Sequence, residues 1–253
     1  MSATADGRMN LRSPSIVTRV TKTAQLTARD WDDIWLLTSE FYDVEREYAE
    51  SELRRRQNIA MFRMGDALLG MAAIDTYLTT FRGRDIVVLH TSHLLIREHG
   101  RGRNLVQKLG ARTFLATRLR YPLRPIYWFY DALSYKSYLL LPRNFRTFWP
   151  RFDSPTPEPQ AALIDQLATQ AFGPAWRPAR GVVVRSGMRR LRSTTAPLIL
   201  DSDSEPELAF FARANPGHAS GDTLVCLCPL TASNWLSLGL KAFQRFRRHR
   251  EIH

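Results

Sequence analysis

The feature that most constrains the fold is an eleven-residue run from Ile86 to Ile96, IVVLHTSHLLI. Its apolar side chains fall on both sides of an extended chain, so both faces need to be covered. The residues from Arg97 to Asn104 are charged, polar or Gly, and apolar residues then recur at helical spacing from Leu105. The run therefore predicts a central strand of a sheet that is covered on both sides, followed by a loop and a helix.

The rest of the chain mixes hairpins with helices. Thr27 and Asp30 form a capping-box pattern at a helix start, and Gly65-Asp66 is a hairpin turn between two apolar runs. The other predicted elements are strands at 15–20, 125–133, 181–186 and 223–230, helices at 44–56, 160–172 and 233–249, and a short helix broken by Pro142. This order predicts an α/β (α+β) fold with a mixed central sheet flanked by helices, because a doubly wound chain alternates strictly.

The chain is strongly basic, with 36 Lys and Arg against 24 Asp and Glu in 253 residues and a net charge of +12. This excess favours an anionic partner, which could be nucleic acid, an anionic membrane, a phosphate-bearing cofactor or an acidic protein. Cys226 and Cys228 predict small buried residues, and we expect neither a disulfide nor a metal site. Without a long apolar run or an apolar leader, we expect a cytoplasmic protein with a flexible tail over residues 1–14.

The loop after the predicted central strand has the ingredients of a phosphate-binding site. Backbone N–H groups at a helix start are unpaired and carry partial positive charge. Glycines let an anion approach these groups closely, and arginines add charge-assisted hydrogen bonds. The stretch 97–105 supplies all three, although it lacks the Lys-Ser/Thr pair of a P-loop.

This loop and the order of elements over residues 15–150 resemble the GNAT superfamily of acyl-CoA-dependent N-acyltransferases. That family follows its fourth strand with a [Q/R]-x-x-G-x-[G/A] loop, which holds the pyrophosphate of acyl-CoA. In a first register, REHGRG matches with Arg97, Gly100 and Gly102. A second register, which the distance from the strand favours, uses the pair 101–102 and puts Asn104 and Val106 where small residues are usual. The cofactor-binding residues implied by the two registers together are Arg97, Gly100, Arg101, Gly102, Arg103, Asn104 and Leu105.

The resemblance implies a GNAT-like fold with a C-terminal extension, and transfer of an acyl group from a thioester to an amine. Val106 would crowd a pyrophosphate that needs bare backbone. The donor therefore stays open between acyl-CoA and a phosphopantetheine thioester on an acidic carrier protein, and the charge of +12 suits both. The expected acceptor is a small-molecule or protein amine. Carboxylates of the first helices, such as Glu40, could hold it or could simply be solvated.

The resemblance also points to two catalytic residues. In the superfamily a base often lies on the fourth strand, and a tyrosine after the fifth strand often protonates the leaving thiolate; here these positions suggest His90 and Tyr138. Strict alternation puts Leu94 and Ile96 on the face of His90, and His93 on the opposite face. The alternatives are a hydrogen-bonded core histidine and a packing tyrosine.

We therefore predict a flexible tail (1–14), a GNAT-like acyltransferase core (15–152) and an extension (153–253) that completes the same domain. The apolar side of the helix at 233–249 is expected to close the core, although it could instead contact a membrane surface. Two other functions stay open. One is nucleic-acid binding by the basic surface, for which no recognised motif is present, and the other is a catalytically inactive GNAT-like binding protein.

Overall fold

The computed structural model describes residues 15–185, 187–192 and 205–251, with side chains described as far as Lys241. Ten strands lie within these residues. They are β1 (Ile16–Lys22), β2 (Tyr42–Asp43), β3 (Asn58–Met64), β4 (Ala67–Phe81), β5 (Arg84–Ile96), β6 (Ile126–Ala132), β7 (Trp176–Arg177), β8 (Val182–Val183), β9 (Arg190–Leu191) and β10 (Thr223–Pro229). Eight of them form one sheet in the order β1-β3-β4-β5-β6-β10-β8-β7, while β2 pairs with β9.

The described residues also form eight α-helices. They are α1 (Ala28–Phe41), α2 (Arg46–Arg54), α3 (Leu105–Arg120), α4 (Tyr135–Tyr138), α5 (Leu140–Asn144), α6 (Glu158–Phe172), α7 (Pro206–Ala214) and α8 (Ala232–Glu251). The apolar side chains of α1, α2 and α6 pack on one face of the large sheet, and those of α3, α5 and α7 pack on the other. The predicted mixed central sheet flanked by helices is thus confirmed.

Two neighbouring strands separate in the middle of this sheet. β5 and β6 pair in parallel from Val87 opposite Ile126 to Thr91 opposite Tyr130, where the pairing ends. Beyond that point β5 continues beside β4, and β6 continues beside β10. A wedge-shaped gap therefore opens between the carboxyl-terminal ends of β5 and β6.

A β-bulge interrupts β5 at this gap. Ser92 pairs with Ala73 and Leu95 pairs with Met71, so β5 carries one residue more than β4 over the same stretch. His93 lies inside the bulge with a φ of 51°, in the left-handed region. The extra residue leaves the regular ladder, so its backbone groups are available to other partners.

The bulge also changes which side chains share a face of β5. Leu94 and Ile96 pack beside Leu105 on the α3 side of the sheet. His90 lies on the other side, where its ring meets that of Phe172 in α6 at 6.0 Å. The prediction that His90, Leu94 and Ile96 share one face is wrong, because one inserted residue reverses the alternation.

The C-terminal residues contribute to the same sheet as the N-terminal ones. β10 pairs antiparallel with β6 from Leu224 to Pro229, with Cys226 opposite Tyr130 and both cysteines fully buried. The side chain of Asn234 at the start of α8 accepts from the backbone N–H groups of Arg146 and Thr147, which fixes α8 against the end of α5.

Several local predictions need correction. Pro142 lies inside α5 and breaks no helix, because it falls in the first turn, where a backbone N–H has no helical partner to lose. The boundary between α4 and α5 is instead at Leu139. The strand predicted at 181–186 contains only Val182 and Val183. The final helix begins at Ala232, and its side chains beyond Lys241, like the acidic stretch 201–204, lie outside the description. Within the described part of the chain, no helix has the length and hydrophobicity to cross a membrane.

Candidate functional site

The gap between the separated ends of β5 and β6 is a cleft of about 430 Å³, which we call the β5–β6 cleft. Residues 91–96 of β5 form one side of it, and Trp128, Tyr130 and Asp131 of β6 form the other. The loop before α3 and the side chain of Lys136 in α4 close one end. Arg189 also lines the cleft, so the lining contains cations as well as the carboxylate of Asp131.

The first end of the cleft contains the start of α3. Asn104 is the N-cap residue with a φ of 55°, and its side chain caps no backbone N–H group. Asparagine is the residue after glycine that most readily adopts this left-handed conformation. Gly102 has a φ of 73°, and a Cβ there would meet nothing within 4 Å. The first N–H groups of α3 are thus left without a side-chain cap, an arrangement suited to phosphate oxygens.

The two possible loop registers have different surroundings. Nε of Arg97 lies 2.7 Å from Oε2 of Glu40, and a second nitrogen donates to the carbonyl of Leu68. Gly100 is buried in a tight turn, where a Cβ would lie 3.0 Å from Cγ2 of Ile96. These residues hold the loop against α1 and β4. Of the predicted cofactor-binding residues, Gly100, Arg101, Gly102, Asn104 and Leu105 line the cleft, whereas Arg97 and Arg103 do not.

Three cations surround the same end: Arg101, Lys136 and Arg143 all line the cleft. Burial lowers the pKa of Lys136, and the positive charge of Arg101 lowers it further, while Glu98 offsets part of the effect. The repulsion between the charges of Lys136 and Arg101 would be reduced by a further anion beside them. This end of the cleft is therefore electrostatically suited to a phosphorylated ligand.

His93 lies at the centre of the cleft, on the bulge of β5. Nη1 of Arg189 is 2.8 Å from its Nε2, and Oγ of Ser92 is 3.0 Å from its Nδ1. Because a guanidinium only donates, we assign Nε2 as the acceptor and Nδ1 as the protonated nitrogen. Burial places the pKa of His93 well below its ordinary value, and Arg189 lowers it further. His93 is thus a neutral imidazole with both nitrogens hydrogen-bonded, which fixes the bulge.

An ionised carboxylate lies farther along the cleft. The side chain of Asp131 is 3% exposed, and its Oδ2 is 3.1 Å from Nη2 of Arg185. Arg185 also reaches Glu52, with 3.3 Å between Nη1 and Oε2. Burial by itself would raise the pKa of Asp131, but the charges of Arg185 and Arg189 outweigh burial and hold it well below its ordinary range. Asp131 is therefore ionised at neutral pH, with Arg185 as its ion-pair partner.

The predicted catalytic residue His90 does not line this cleft. It is buried on the α6 side of the sheet, with its ring edge against Phe129 at 5.0 Å. Its Nδ1 is 3.3 Å from Nη1 of Arg56. Burial lowers the pKa of His90 to about 4, and Arg56 lowers it as well. This environment is that of a neutral core histidine.

The second predicted catalytic residue, Tyr138, is also remote from the cleft. Its side chain is completely buried between the rings of Phe210 and Phe211, and its hydroxyl donates to the carbonyl of Pro150 at 3.3 Å. Burial raises the pKa of Tyr138 far above its ordinary value. The structure therefore brings neither His90 nor Tyr138 to the residues of the loop.

Several polar residues of the cleft were not predicted from the sequence as site residues, among them Ser92, Asp131 and Arg189. Asp131 did leave a signal, because it is the one charged residue of the otherwise apolar or aromatic strand IYWFYDA. Arg189 left none, since it reaches the cleft only through the pairing of β9 with β2. Among the residues the structure describes, no group of three or more His, Cys, Asp or Glu is placed to hold a metal ion.

No protein-family model and no curated protein matches this chain, but solved structures match about half of it. A ribosomal-protein-alanine N-acetyltransferase from Brucella melitensis biovar Abortus is 14% identical; the match covers 54% of this chain and 99% of that one, with a TM-score of 0.38. An acetyltransferase from Trypanosoma brucei is 18% identical over 54% of this chain and 96% of its own, with a TM-score of 0.36. An acyl-CoA N-acyltransferase from Pseudomonas aeruginosa is 20% identical; the match covers 46% of this chain and 79% of that one, with a TM-score of 0.33.

The match to another solved structure, a conserved protein from Enterococcus faecalis, covers only 31% of that protein's length. The GNAT-like segment predicted from the sequence is thus similar in structure to solved N-acyltransferases.

Proposed function

We propose that this protein is an N-acyltransferase that moves an acyl group from a thioester donor to an amine in the β5–β6 cleft. The observation that carries the proposal is the order of groups along one cleft. The uncapped start of α3 and its cations lie at one end, the bulged edge of β5 lies at the centre, and the ionised Asp131 lies beyond it. A phosphorylated thioester and an amine could meet at the bulge in this arrangement.

The donor end fits the phosphates of CoA or of a phosphopantetheine group. The first N–H groups of α3 and the side chain of Arg101 would hold the phosphate oxygens. Asn104 adopts the left-handed backbone conformation that a glycine would otherwise provide. Asparagine in place of a small residue, one of the two departures from the family pattern, is therefore compatible with this turn. Val106 remains at the cleft wall, so the phosphates would contact the backbone on the side away from it.

The reaction needs a neutral amine and a polarised carbonyl. The amine nitrogen attacks the thioester carbon, the N–C bond forms, and the C–S bond breaks to release the thiolate. Backbone N–H groups at the bulge would stabilise the developing oxyanion. Asp131 would hold the incoming ammonium. Its depressed pKa makes it a weak base, so the ammonium proton passes to water, and the thiolate is protonated from solvent.

The roles that the resemblance implies for His90 and Tyr138 are not part of this proposal, because neither side chain reaches the cleft. His93 is a positioning residue here. Its hydrogen bonds to Arg189 and Ser92 hold the bulge in the conformation that presents the backbone of β5.

Calorimetric binding of CoA and acetyl-CoA to two arginine variants tests the proposal. Arg101→Ala removes a cation that lines the cleft, and Arg103→Ala removes an exposed cation of the same loop that does not. We expect Arg101→Ala to weaken CoA binding about tenfold, as the loss of a charge-assisted phosphate contact would, and Arg103→Ala to change it less than twofold. Equal effects of the two substitutions, or no binding of CoA by the parent protein, would contradict the proposed donor site. Binding without any acyl transfer to a panel of amines would indicate an inactive binding protein.

A further inference from the structure

A second, apolar cavity adjoins the donor end of the β5–β6 cleft on the α3 side of the sheet. Its volume is about 100 Å³. It lies between α3, α5, the start of α8 and the adjoining strands, and Ile74, Leu89 and Leu109 are among its walls. We call it the α3–α8 cavity. Nothing in the donor and acceptor sites described above uses it.

The α3–α8 cavity and the β5–β6 cleft share part of their walls. Six residues line both of them: Thr91, Leu94, Val106, Gln107, Trp128 and Leu140. Leu94 belongs to the bulged segment of β5, where the thioester carbonyl would lie. A substituent on the carbonyl carbon at the bulge would therefore lie next to the cavity.

Two of the polar side chains in the walls have partners within the protein. Nε1 of Trp128 donates to Oγ1 of Thr91 at 2.8 Å, and Nδ2 of Asn144 donates to the carbonyl of Leu140 at 2.7 Å. With these groups engaged, the cavity presents mainly hydrocarbon to a ligand. Such a site binds apolar groups, because every methylene removed from water contributes favourably.

Two features border this space. Gly110 lines it from an exposed position in the interior of α3, where glycine destabilises a helix relative to alanine, and a Cβ there would meet nothing within 4 Å. On the opposite side, the ring of Trp235 in α8 stacks on Phe114 of α3 at 4.3 Å, and Asn234 anchors the start of α8. The start of α8 is therefore held in place against α3, beside the cavity.

We propose that the α3–α8 cavity binds the hydrocarbon chain of the donor, so that the preferred donors are medium-chain acyl thioesters and not acetyl thioesters. This inference rests on the proposed function. A cavity of about 150 Å³ accommodates one benzene molecule, so about 100 Å³ holds roughly four carbon atoms. With the carbons that cross the cleft, the matching chain has about six to eight carbons.

The test compares the affinities of CoA, acetyl-CoA and octanoyl-CoA by calorimetry in the absence of an amine. Each buried methylene strengthens binding about fourfold, so octanoyl-CoA should bind the parent protein at least thirtyfold more tightly than acetyl-CoA. Gly110→Leu fills the cavity from a position with open space. It should weaken octanoyl-CoA binding at least tenfold and change acetyl-CoA binding less than twofold.

Gly239→Leu is the matched control. It places the same side chain in the middle of α8, where a Cβ also meets nothing within 4 Å, at a position that does not line the cavity. It should leave both affinities unchanged. Acetyl-CoA binding reports whether each variant is folded and whether the donor site exists. If CoA and acetyl-CoA bind but octanoyl-CoA binds no more tightly, the chain-binding cavity is refuted while the proposed function stands; if no CoA species binds, both are refuted.

A separate observation concerns the acceptor. Arg189 is 7% exposed and lines the cleft, yet no carboxylate of the described residues lies within ion-pair distance of it. Its Nε is buried and lacks a hydrogen-bond partner among those residues. The neighbouring Arg185, in contrast, contacts the carboxylates of Asp131 and Glu52. A buried guanidinium beside a cleft without a paired anion is suited to an anionic ligand.

The backbone around Arg189 is held in place. Gly221 has a φ of 94°, and a Cβ there would lie 2.0 Å from the carbonyl oxygen of Arg189. The next residues form β9, with Leu191 paired to Tyr42. The guanidinium is thus presented from a fixed segment, near enough to Asp131 for its charge to lower the pKa of that carboxylate.

We infer that Arg189 binds the carboxylate of the acceptor while Asp131 binds its ammonium group, so that the acceptor is an amino acid. This inference also rests on the proposed function. The test compares binding of the products N-octanoylglycine and N-octanoylethanolamine, which differ in the carboxylate. Arg189→Met should weaken N-octanoylglycine binding at least thirtyfold and leave N-octanoylethanolamine within twofold.

Arg192→Met is the control, because Arg192 donates to the carbonyl of Ser39 and does not line the cleft. It should alter neither affinity. Equal binding of the two products by the parent protein would overturn the carboxylate site. The proposed function would then still be supported if CoA binds and if any carboxylate-free amine is acylated.

Discussion

Arg97 and Glu40 form a two-point ion pair that joins the start of the donor loop to the end of α1. Nε of Arg97 is 2.7 Å from Oε2 of Glu40, and Nη2 is 2.5 Å from Oε1. The pair assigns Arg97 a supporting position and leaves Arg101 facing the cleft. The second loop register, with the pair 101–102 at the ligand, is therefore the one we use to predict the effects of substitutions.

Substituting Arg97 and Glu40 by alanine, singly and together, should show that they act as one unit. Because both side chains are partly exposed, we expect a coupling free energy of only about 0.2 to 1 kcal/mol in unfolding measurements. Each single variant and the double variant should weaken CoA binding by the same small factor. A much larger loss for Arg97→Ala than for Glu40→Ala would mean that Arg97 contacts the donor itself.

Asn104 should tolerate glycine but not a branched side chain. Its φ of 55° is accessible to glycine without strain, whereas other residues pay about 1 to 2 kcal/mol there. We expect Asn104→Gly to keep the free energy of unfolding and the CoA affinity close to the parent values. Asn104→Val should lower both, as measured by urea denaturation and calorimetry. An unaffected Asn104→Val would show that the left-handed turn is not needed.

Tyr138→Phe separates the structural role of this tyrosine from the catalytic one that the resemblance implies. The substitution removes one hydrogen bond, to the carbonyl of Pro150, and should lower the free energy of unfolding by about 1 kcal/mol. Turnover of an acyl donor should stay within twofold. A loss of turnover by a hundredfold or more, with unchanged stability, would restore Tyr138 as the acid.

Stability should fall as the pH is lowered from about 6.5 towards 4. The pKa values of His90 and His93 are lowered in the folded protein, so over this range the unfolded chain binds more protons and the free energy of unfolding decreases with falling pH. For His90, with a pKa of about 4, the loss is of the order of a few kcal/mol. Asp131 contributes only at lower pH, because its pKa is also depressed.

Urea denaturation at pH 8, 7, 6 and 5 measures this dependence. His90→Phe keeps an aromatic ring between Phe129 and Phe172 and should flatten the curve between pH 6.5 and 5. Between pH 8 and 7 the parent and the variant should be equally insensitive to pH. A parent protein that is as stable at pH 5 as at pH 7 would show that these histidines are not held neutral.

Elements with local signals could be predicted from the sequence, and contacts made across the fold could not. Thr27 and Asp30 form the predicted capping box, and Gly65-Asp66 joins β3 to β4 as predicted. The bulge at His93 has no marker of its own, since it appears only when β5 is paired with β4. The prediction from simple alternation therefore failed at that residue. The predicted faces of the side chains that follow it in β5 were wrong for the same reason.

The candidate site follows the same division. The loop residues 100–105 were predicted because glycine, arginine and a helix start are adjacent in the sequence. The partners that define the other half of the cleft come from distant segments: Asp131 from β6, and Arg189 from the turn before β9. The ion pair between Arg97 and Glu40 also depends on the packing of α1 against β4, which cannot be predicted from a short sequence pattern.

The central claim is tested most directly by mass spectrometry of the protein incubated with octanoyl-CoA and a mixture of amino acids and carboxylate-free amines. The account predicts an N-octanoyl product formed in equal amount with free CoA, and a loss of at least tenfold in Arg101→Ala and Asp131→Asn but not in Arg103→Ala. Release of CoA without an acylated amine, or product formation that is unchanged in both cleft variants, would contradict it.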